Sequence, residues 1–547
     1  GIIVWVVRQK QNDSADYFLG GRDATWLAIG ASIFASNIGS EHLIGLAGAG
    51  ASSGMAMAHW EIQGWMILIL GWVFVPFYTR SMVYTMPEFL ERRYNPQSRT
   101  ILSVISLVSY VLTKVAVTVY AGGLVFQQVF GIKELWGIDF FWIAAIGLVV
   151  LTALYTIFGG MKSVLYTSVL QTPILLLGSL IILVLGFKEL GGWDEMMRVC
   201  GAVTVNDYGD TMTNLIRSND DANFPWLGAL IGSAIIGFWY WCTDQFIVQR
   251  VLSGKNEMEA RRGTIFGAYL KLLPVFLFLI PGMIAFALHQ KYIGAGGEGF
   301  LPILENGTAN ADAAFPTLVA KLLPAGVKGL VVCGILAALM SSLASLFNSS
   351  AMLFTIDFYK RFRPQTSEKK LVGIGQVATV VIVILGILWI PIMRSVGDVL
   401  YTYLQDVQSV LAPGIAAAFL LGICWKRTSA QGGMWGLISG MVIGLTRLGA
   451  KVYYSNAGEV ADSTFKYLFY DMNWLFFCGW MFLFCIIVVI VVSLATEAPT
   501  AEKIQGLVFG TATKEQKAST RASWNHWDII HTVIILAITG AFYWYFW

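Results

Sequence analysis

Polar and ionisable side chains set inside apolar stretches carry the chemistry of this chain. The run 32 to 42 (SIFASNIGSEH) places Asn37, Glu41 and His42 in an otherwise apolar segment, and 237 to 245 (GFWYWCTDQ) does the same with Asp244. Glu61 sits beside Trp60, and Lys271 lies about two turns into its own apolar run. In hydrocarbon each such group costs roughly 2.5 to 3.5 kcal/mol, so each needs a partner or a task. A carboxylate and an ammonium on different helices can pair across a cavity while both contact a polyol, which needs donors and acceptors together. A purely structural ion pair is the competing reading. Trp239, Tyr240 and Trp241 offer flat faces to the C–H surface of a pyranose ring, or form an interfacial aromatic belt. Asn37 and Gln405, the latter in YLQDVQSVLAP, can make bidentate contacts to a sugar or bond exposed backbone. Ser341 and Ser342, in LAALMSSLASLFNSS, allow close helix packing. With backbone carbonyls around Ala35 and Ile38 they can also make an all-oxygen cage for one hard monovalent cation.

The elements that must hold these groups follow from composition. The chain has 547 residues, 56% hydrophobic and 13% charged, which excludes a water-soluble globule with a polar exterior. Apolar stretches of about 20 residues recur, the length a helix needs to cross a core of about 30 Å. Runs such as PILLLGSLIILVLG at 173 to 186 are apolar on both parities, which excludes a transmembrane barrel. The net charge of +3 and the absence of a basic tract give no sign of a nucleic-acid partner. The six cysteines have no CxxC spacing and read as buried small hydrophobes. No obligatory protein partner is inferred.

Hydropathy predicts helices near 25–51, 54–79, 101–130, 138–158, 164–187, 226–250, 264–289, 325–357, 371–394, 398–424, 431–452, 471–495 and 527–547. Residues 1–24 read as the remnant of a first helix, 1–7, and a cytoplasmic linker. Lys and Arg cluster in alternate connections, near Arg92, Arg262 and Lys369, which places those inside. The long acidic loops 188–225 and 291–323 then face outside. The five spans of 25–187 and the five of 226–424 run in opposite directions, an inverted repeat whose lead helices are expected to break near mid-bilayer. Residues 425–547 add flanking transmembrane helices and a cytoplasmic linker at 496–526. The connection 82–97 is predicted to carry a short surface helix.

Long ungapped segments resemble the solute:sodium symporters, specifically the animal sodium/glucose cotransporters and the bacterial sodium/galactose transporter. They are ASNIGSEHLIGLAGAG at 35–50, YTMPEFLERRY at 84–94, FWYWCTDQFIVQR at 238–250, YLKLLP at 269–274, LMSSLASLFNSSAMLFTIDFY at 339–359 and LLGICWKR at 420–427. The resemblance implies an all-α integral membrane fold, a five-plus-five inverted-repeat (LeuT-like) bundle. It implies sodium ligands at the Ala35, Ile38 and Ala338 carbonyls and the Ser341 and Ser342 hydroxyls. It implies sugar contacts at Asn37, His42, Glu61, Trp241, Lys271 and Gln405, with Tyr240 as an inner aromatic gate. His42 is similar to the animal type, where the bacterial galactose carrier has Gln. Three departures stand out. Ser168 in YTSVLQ replaces the family's usual aspartate, which points to one sodium per sugar. Gly237 stands where relatives place Asn or Thr facing the sugar. The outer loops lack the cysteine-rich insertions of the animal glucose transporters, which points to a bacterial inner membrane.

The expectation is therefore a multi-pass plasma-membrane transporter coupling inward sodium flow to uptake of a glucose- or galactose-type monosaccharide by alternating access. A sodium symporter for myo-inositol or another small polar solute is the first alternative, and a sodium-dependent sugar sensor or channel the second. No nucleophile, base and orienting group occur at recognisable spacing, so the chain is not expected to be an enzyme.

Overall fold

The computed structural model describes residues 14–39, 41–304, 307–394, 400–456 and 461–547. The expected helix remnant at 1–7 lies outside the described residues. Among them, nine helical stretches are long and apolar enough to cross a membrane, from Glu41–Ser81 to His526–Tyr545. Large apolar side chains such as Val377, Leu388 and Trp480 are exposed, while charged groups such as Arg93, Lys114, Arg250 and Lys271 are buried. That inversion of the soluble pattern is what lipid as the outer solvent requires, since only the interior offers polar partners.

The elements that frame the site are α1 (Trp26–Asn37), α2 (Met86–Arg93), α3 (Phe140–Leu190), α4 (Trp226–Gly237), α5 (Gln245–Leu252), α6 (Glu257–Lys271), α7 (Ala325–Met352), α8 (Leu400–Cys424) and α9 (His526–Tyr545). Helix α1 packs along α6 and against α3 and α7, and α7 lies along α3.

Both lead helices are interrupted where the sequence predicts. Helix α1 stops as Ile38 turns extended (φ −80°, ψ 90°). The Gly39 amide, which an unbroken helix would aim at the Ala35 carbonyl, donates to Asn37 O at 3.0 Å, and the His42 amide, due to Ile38, donates to Gly39 O at 3.2 Å. The chain resumes as a wide π-helical turn, Glu41–Leu46. A Cβ on Gly39 would lie 2.9 Å from Ser342 Oγ, so glycine is what lets this break approach α7. In the second half α4 runs into a π-helical turn, Phe238–Thr243, and Asp244 is extended (φ −75°, ψ 128°). The Asp244 carboxylate then caps α5, accepting from the Phe246 amide.

Three expectations need correction. Cys333 and Cys424 are exposed, so only four of the six cysteines are the buried small hydrophobes expected. Helix α2 exists, capped by Thr85, but it is not a surface helix: Met86, Phe89, Leu90 and Arg93 are buried. Arg93 Nε donates to the Gly422 carbonyl at the end of α8 at 2.6 Å, and its Nη2 donates to Thr428 O at 3.1 Å. A charged side chain in a short polar connection reads as solvated; here it closes the carbonyl end of a membrane helix instead. The spans expected at 138–158 and 164–187 follow one another without a loop in α3, bent at Gly160 with φ +54°. A Cβ there would meet the Tyr17 carbonyl at 2.5 Å.

Candidate functional site

Between the two breaks lies a polar cavity of about 30 Å³. A water needs roughly 10 to 15 Å³ on this measure, so the space holds about two waters and no ring-sized solute. The conformation is one contracted around the site, which must widen to admit a larger guest.

Residues from separate helices converge on this cavity. From the first break come Asn37 and His42, and from the next segment Glu61; Tyr240 and Trp241 come from the second break, Lys271 from the end of α6, and Gln405 from α8. The six positions expected to contact solute and Tyr240, the expected gate, thus share one cavity. Lys271 Nζ lies 2.5 Å from Glu61 Oε2, with both side chains at most 4% exposed. The same carboxylate oxygen is 3.1 Å from His42 Nε2. Asn37 Nδ2 is 3.2 Å from that ring nitrogen. His42 Nε2 cannot both donate to the carboxylate and accept from the Asn37 amide nitrogen, and the bond to the carboxylate prevails, because a charge-assisted bond is the stronger. Lys271 Nζ also stands 5.2 Å from the Trp241 ring centroid. The ion pair is therefore held by four segments that meet only in the tertiary fold.

Two buried polar atoms at the cavity have no hydrogen-bond partner among the described residues: Gln405 Oε1, an acceptor, and Trp60 Nε1, a donor. Leaving either without a hydrogen bond costs about 1 to 3 kcal/mol, a cost a polar guest would remove. Trp60, Gln63 and Gln408 line the cavity and were not marked out as contacts by sequence reasoning. The signal available for Gln63 was its spacing of two residues from Glu61 in an apolar run.

The second polar centre lies where α1 ends against α7. Ala35 and Ile38 on one side, and Ala338, Ser341 and Ser342 on the other, are all buried. The two sides meet so closely at Gly39 that a side chain there would strike Ser342. One turn on, Ser36 Oγ and Ser345 Oγ are 2.7 Å apart, and Ser345 Oγ donates to the Ser341 carbonyl at 2.8 Å. Ser168, from α3, brings its Oγ to 3.3 Å from Ser341 Oγ. The oxygens offered here are neutral hydroxyls and backbone carbonyls, those of Ala35 and Ile38 having lost their helical donors, a set that suits a monovalent cation.

Asp244 lies elsewhere. Its carboxylate takes the Lys114 ammonium at 2.5 Å and the Tyr110 hydroxyl. Lys114, missed within the apolar span 101–130, stands 4.5 Å from the ring centroids of both Tyr240 and Phe246. It thereby ties the second break to the adjoining helix. A lone Lys in such a run was the signal, since it had to meet a carboxylate somewhere.

An interrupted inverted-repeat helical bundle around a central polar cavity is the architecture of the LeuT-like, sodium-coupled secondary transporters. The structure aligns with a substrate-bound outward-open state of a Na+-coupled sialic acid symporter at TM-score 0.70 and 22% identity, over 91% of this chain and 96% of that one. It aligns with MhsT in complex with L-phenylalanine at TM-score 0.50 and 12% identity, over 86% and 99%. The chain belongs to the sodium:solute symporter family, whose profile matches residues 17–440. Among its relatives, the human sodium/myo-inositol cotransporter 2 is 37% identical over 518 residues, 92% of this chain and 76% of the relative. The dog (Canis lupus familiaris) sodium/myo-inositol cotransporter is 37% identical over 525 residues, 92% and 72%. The protein is thus a multi-pass membrane symporter with sodium as its coupling ion, a transporter rather than an enzyme.

Proposed function

We propose that the protein couples inward sodium flow to uptake of a neutral polyhydroxylated six-membered ring, glucose or galactose in type, by alternating access. The observation that carries this reading is the convergence of Asn37, His42, Glu61, Tyr240, Trp241, Lys271 and Gln405 on one cavity. Glu61 and Gln405 offer acceptors, Lys271 and Asn37 offer donors, and Trp241 and Tyr240 offer flat faces, Tyr240 serving as the inner gate. Hydroxyls both donate and accept, so a polyol satisfies this mixed set. A carboxylate solute would meet the anionic Glu61. myo-Inositol is the second reading, favoured by the names of the relatives. Its ring carries hydroxyls all round and fits the same donors and acceptors.

Sodium is assigned to the Ala35, Ile38 and Ala338 carbonyls and the Ser341 and Ser342 hydroxyls. Bound there, it holds the end of α1 against α7 and so preforms the solute cavity. Inward rocking separates the two helices and releases both cargoes. Ser168 beside Ser341 supplies no negative charge, which supports a stoichiometry of one sodium per solute. At about 100 mV one charge supplies roughly 2.3 kcal/mol, and a tenfold sodium ratio adds about 1.4 kcal/mol. Together these sustain accumulation of several hundredfold. Purified protein in proteoliposomes with an inward sodium gradient should accumulate labelled solute, and competition among glucose, galactose and myo-inositol ranks the substrates. Uptake unaffected by collapsing the sodium gradient, or Gln405→Ala transporting with unchanged affinity, defeats the assignment.

A further inference from the structure

Gln63 lies two residues beyond Glu61, is 2% exposed and lines the same cavity. Its Nε2 donates to the Ser233 carbonyl on α4 at 2.8 Å, which fixes the orientation of the amide. With the nitrogen committed, the oxygen is the end left to offer. That oxygen occupies space available only because residue 237, also at the cavity, is glycine. A Cβ on Gly237 would come within 2.4 Å of Gln63 Oε1, 2.9 Å of Cδ and 3.0 Å of Nε2. Gly237 has ordinary helical angles (φ −62°, ψ −40°), so the backbone does not demand glycine there. Close approach of the Gln63 carboxamide does.

We propose that Gln63 is a specificity-determining contact of the transported solute: its Oε1 accepts a hydrogen bond from one ring hydroxyl, with Ser233 holding the amide and Gly237 making the room. The proposal rests on the reading of this cavity as the solute site. An amide oxygen accepts and cannot donate, so the solute position it reads must carry a donor. A hydroxyl satisfies it, whereas a hydrogen leaves it unpaired and a fluorine, an acceptor only, opposes it. Sites that hydrogen-bond a hydroxyl discriminate most sharply against analogues lacking it, because a buried polar group is then left bare.

The test uses the full chain and two readouts. Sodium-dependent binding is followed by tryptophan fluorescence in detergent, and sodium-driven uptake is followed in proteoliposomes. The probes are glucose, galactose and myo-inositol, with the single-position deoxy and deoxy-fluoro analogues of whichever binds best. The expected result is one ring position at which the wild type loses about 3- to 10-fold in affinity for the deoxy analogue, and at least as much for the fluoro analogue. Gln63→Leu should flatten the preference at that position alone, leaving discrimination at other positions and the sodium activation constant in place. Gly237→Ala, which displaces the carboxamide without removing it, should weaken the same position. A merely structural role for Gln63 would shift all analogues by one factor, and that outcome overturns the proposal. Should the wild type bind solute with sodium yet fail to accumulate it, the transport reading falls while the analogue pattern still decides the role of Gln63. If none of the three probes binds, both readings fall.

Discussion

Removing Glu61 should damage the protein more than removing Lys271, although the two form one ion pair. The pair is 2.5 Å apart, with side chains 1% and 4% exposed. Breaking a buried pair leaves an uncompensated charge and costs about 3 to 5 kcal/mol. The two survivors differ in what else is near them. After Glu61→Ala the ammonium of Lys271 keeps the Trp241 ring, 5.2 Å away, which offsets roughly 0.5 to 1 kcal/mol. After Lys271→Ala the Glu61 carboxylate keeps His42 Nε2 at 3.1 Å, and a charge-assisted hydrogen bond offsets about 1.5 to 3 kcal/mol. The net costs therefore centre on about 3 kcal/mol for Glu61→Ala against about 2 kcal/mol for Lys271→Ala. The neutral double variant Glu61→Gln with Lys271→Met should recover most of the stability while transporting nothing, since a well-packed uncharged pair avoids the desolvation cost. The assay is thermal unfolding of detergent-purified protein alongside sodium-driven uptake. If Lys271→Ala proves the less stable single variant, or the double variant is no better than either, the electrostatic reasoning is wrong.

Other consequences follow from the same geometry. Ser342→Ala removes one neutral oxygen from the junction of α1 and α7 and should raise the sodium concentration for half-maximal uptake about fivefold, with solute affinity at saturating sodium little changed; identical sodium activation curves would remove Ser342 from the cation site. Ser168→Asp puts a carboxylate beside Ser341 and should raise the charge moved per solute from one towards two, read as the ratio of sodium to solute flux in voltage-clamped vesicles; a fixed ratio refutes it. Gly160→Ala should cost about 1 to 3 kcal/mol and lower the yield of folded protein, because φ +54° and the Tyr17 carbonyl both oppose a Cβ. Wild-type thermal stability in that variant would mean that the bend in α3 can relax.

Local rules made much of the bundle readable. Helix starts are read late where a polar first turn precedes the apolar run: the helix expected from 101 begins at Pro96 behind the Asn95 cap, and α6, expected from 264, begins at Glu257 behind Asn256. The two breaks were visible, because polar and aromatic residues inside an apolar run leave few alternatives in hydrocarbon. Partners were less visible. Lys114 and Asp244 are 130 positions apart, and nothing local pairs them. Arg93 looked solvated because its acceptors are carbonyls at 422 and 428.

Composition and hydropathy alone settle that this chain lives in lipid as helices, since an apolar exterior and an internally bonded backbone leave no other form. The residues themselves also supply the groups on which the proposed sites draw: mixed donors and acceptors for the solute, neutral oxygens for the cation. Tertiary structure alone decides that seven such residues face one cavity, that Glu61 answers to both Lys271 and His42, and that Gln63 fills the space beside Gly237. The reason is physical: spans and caps depend on neighbours a few positions away, whereas a binding cavity is defined by the distances between helices far apart in the chain.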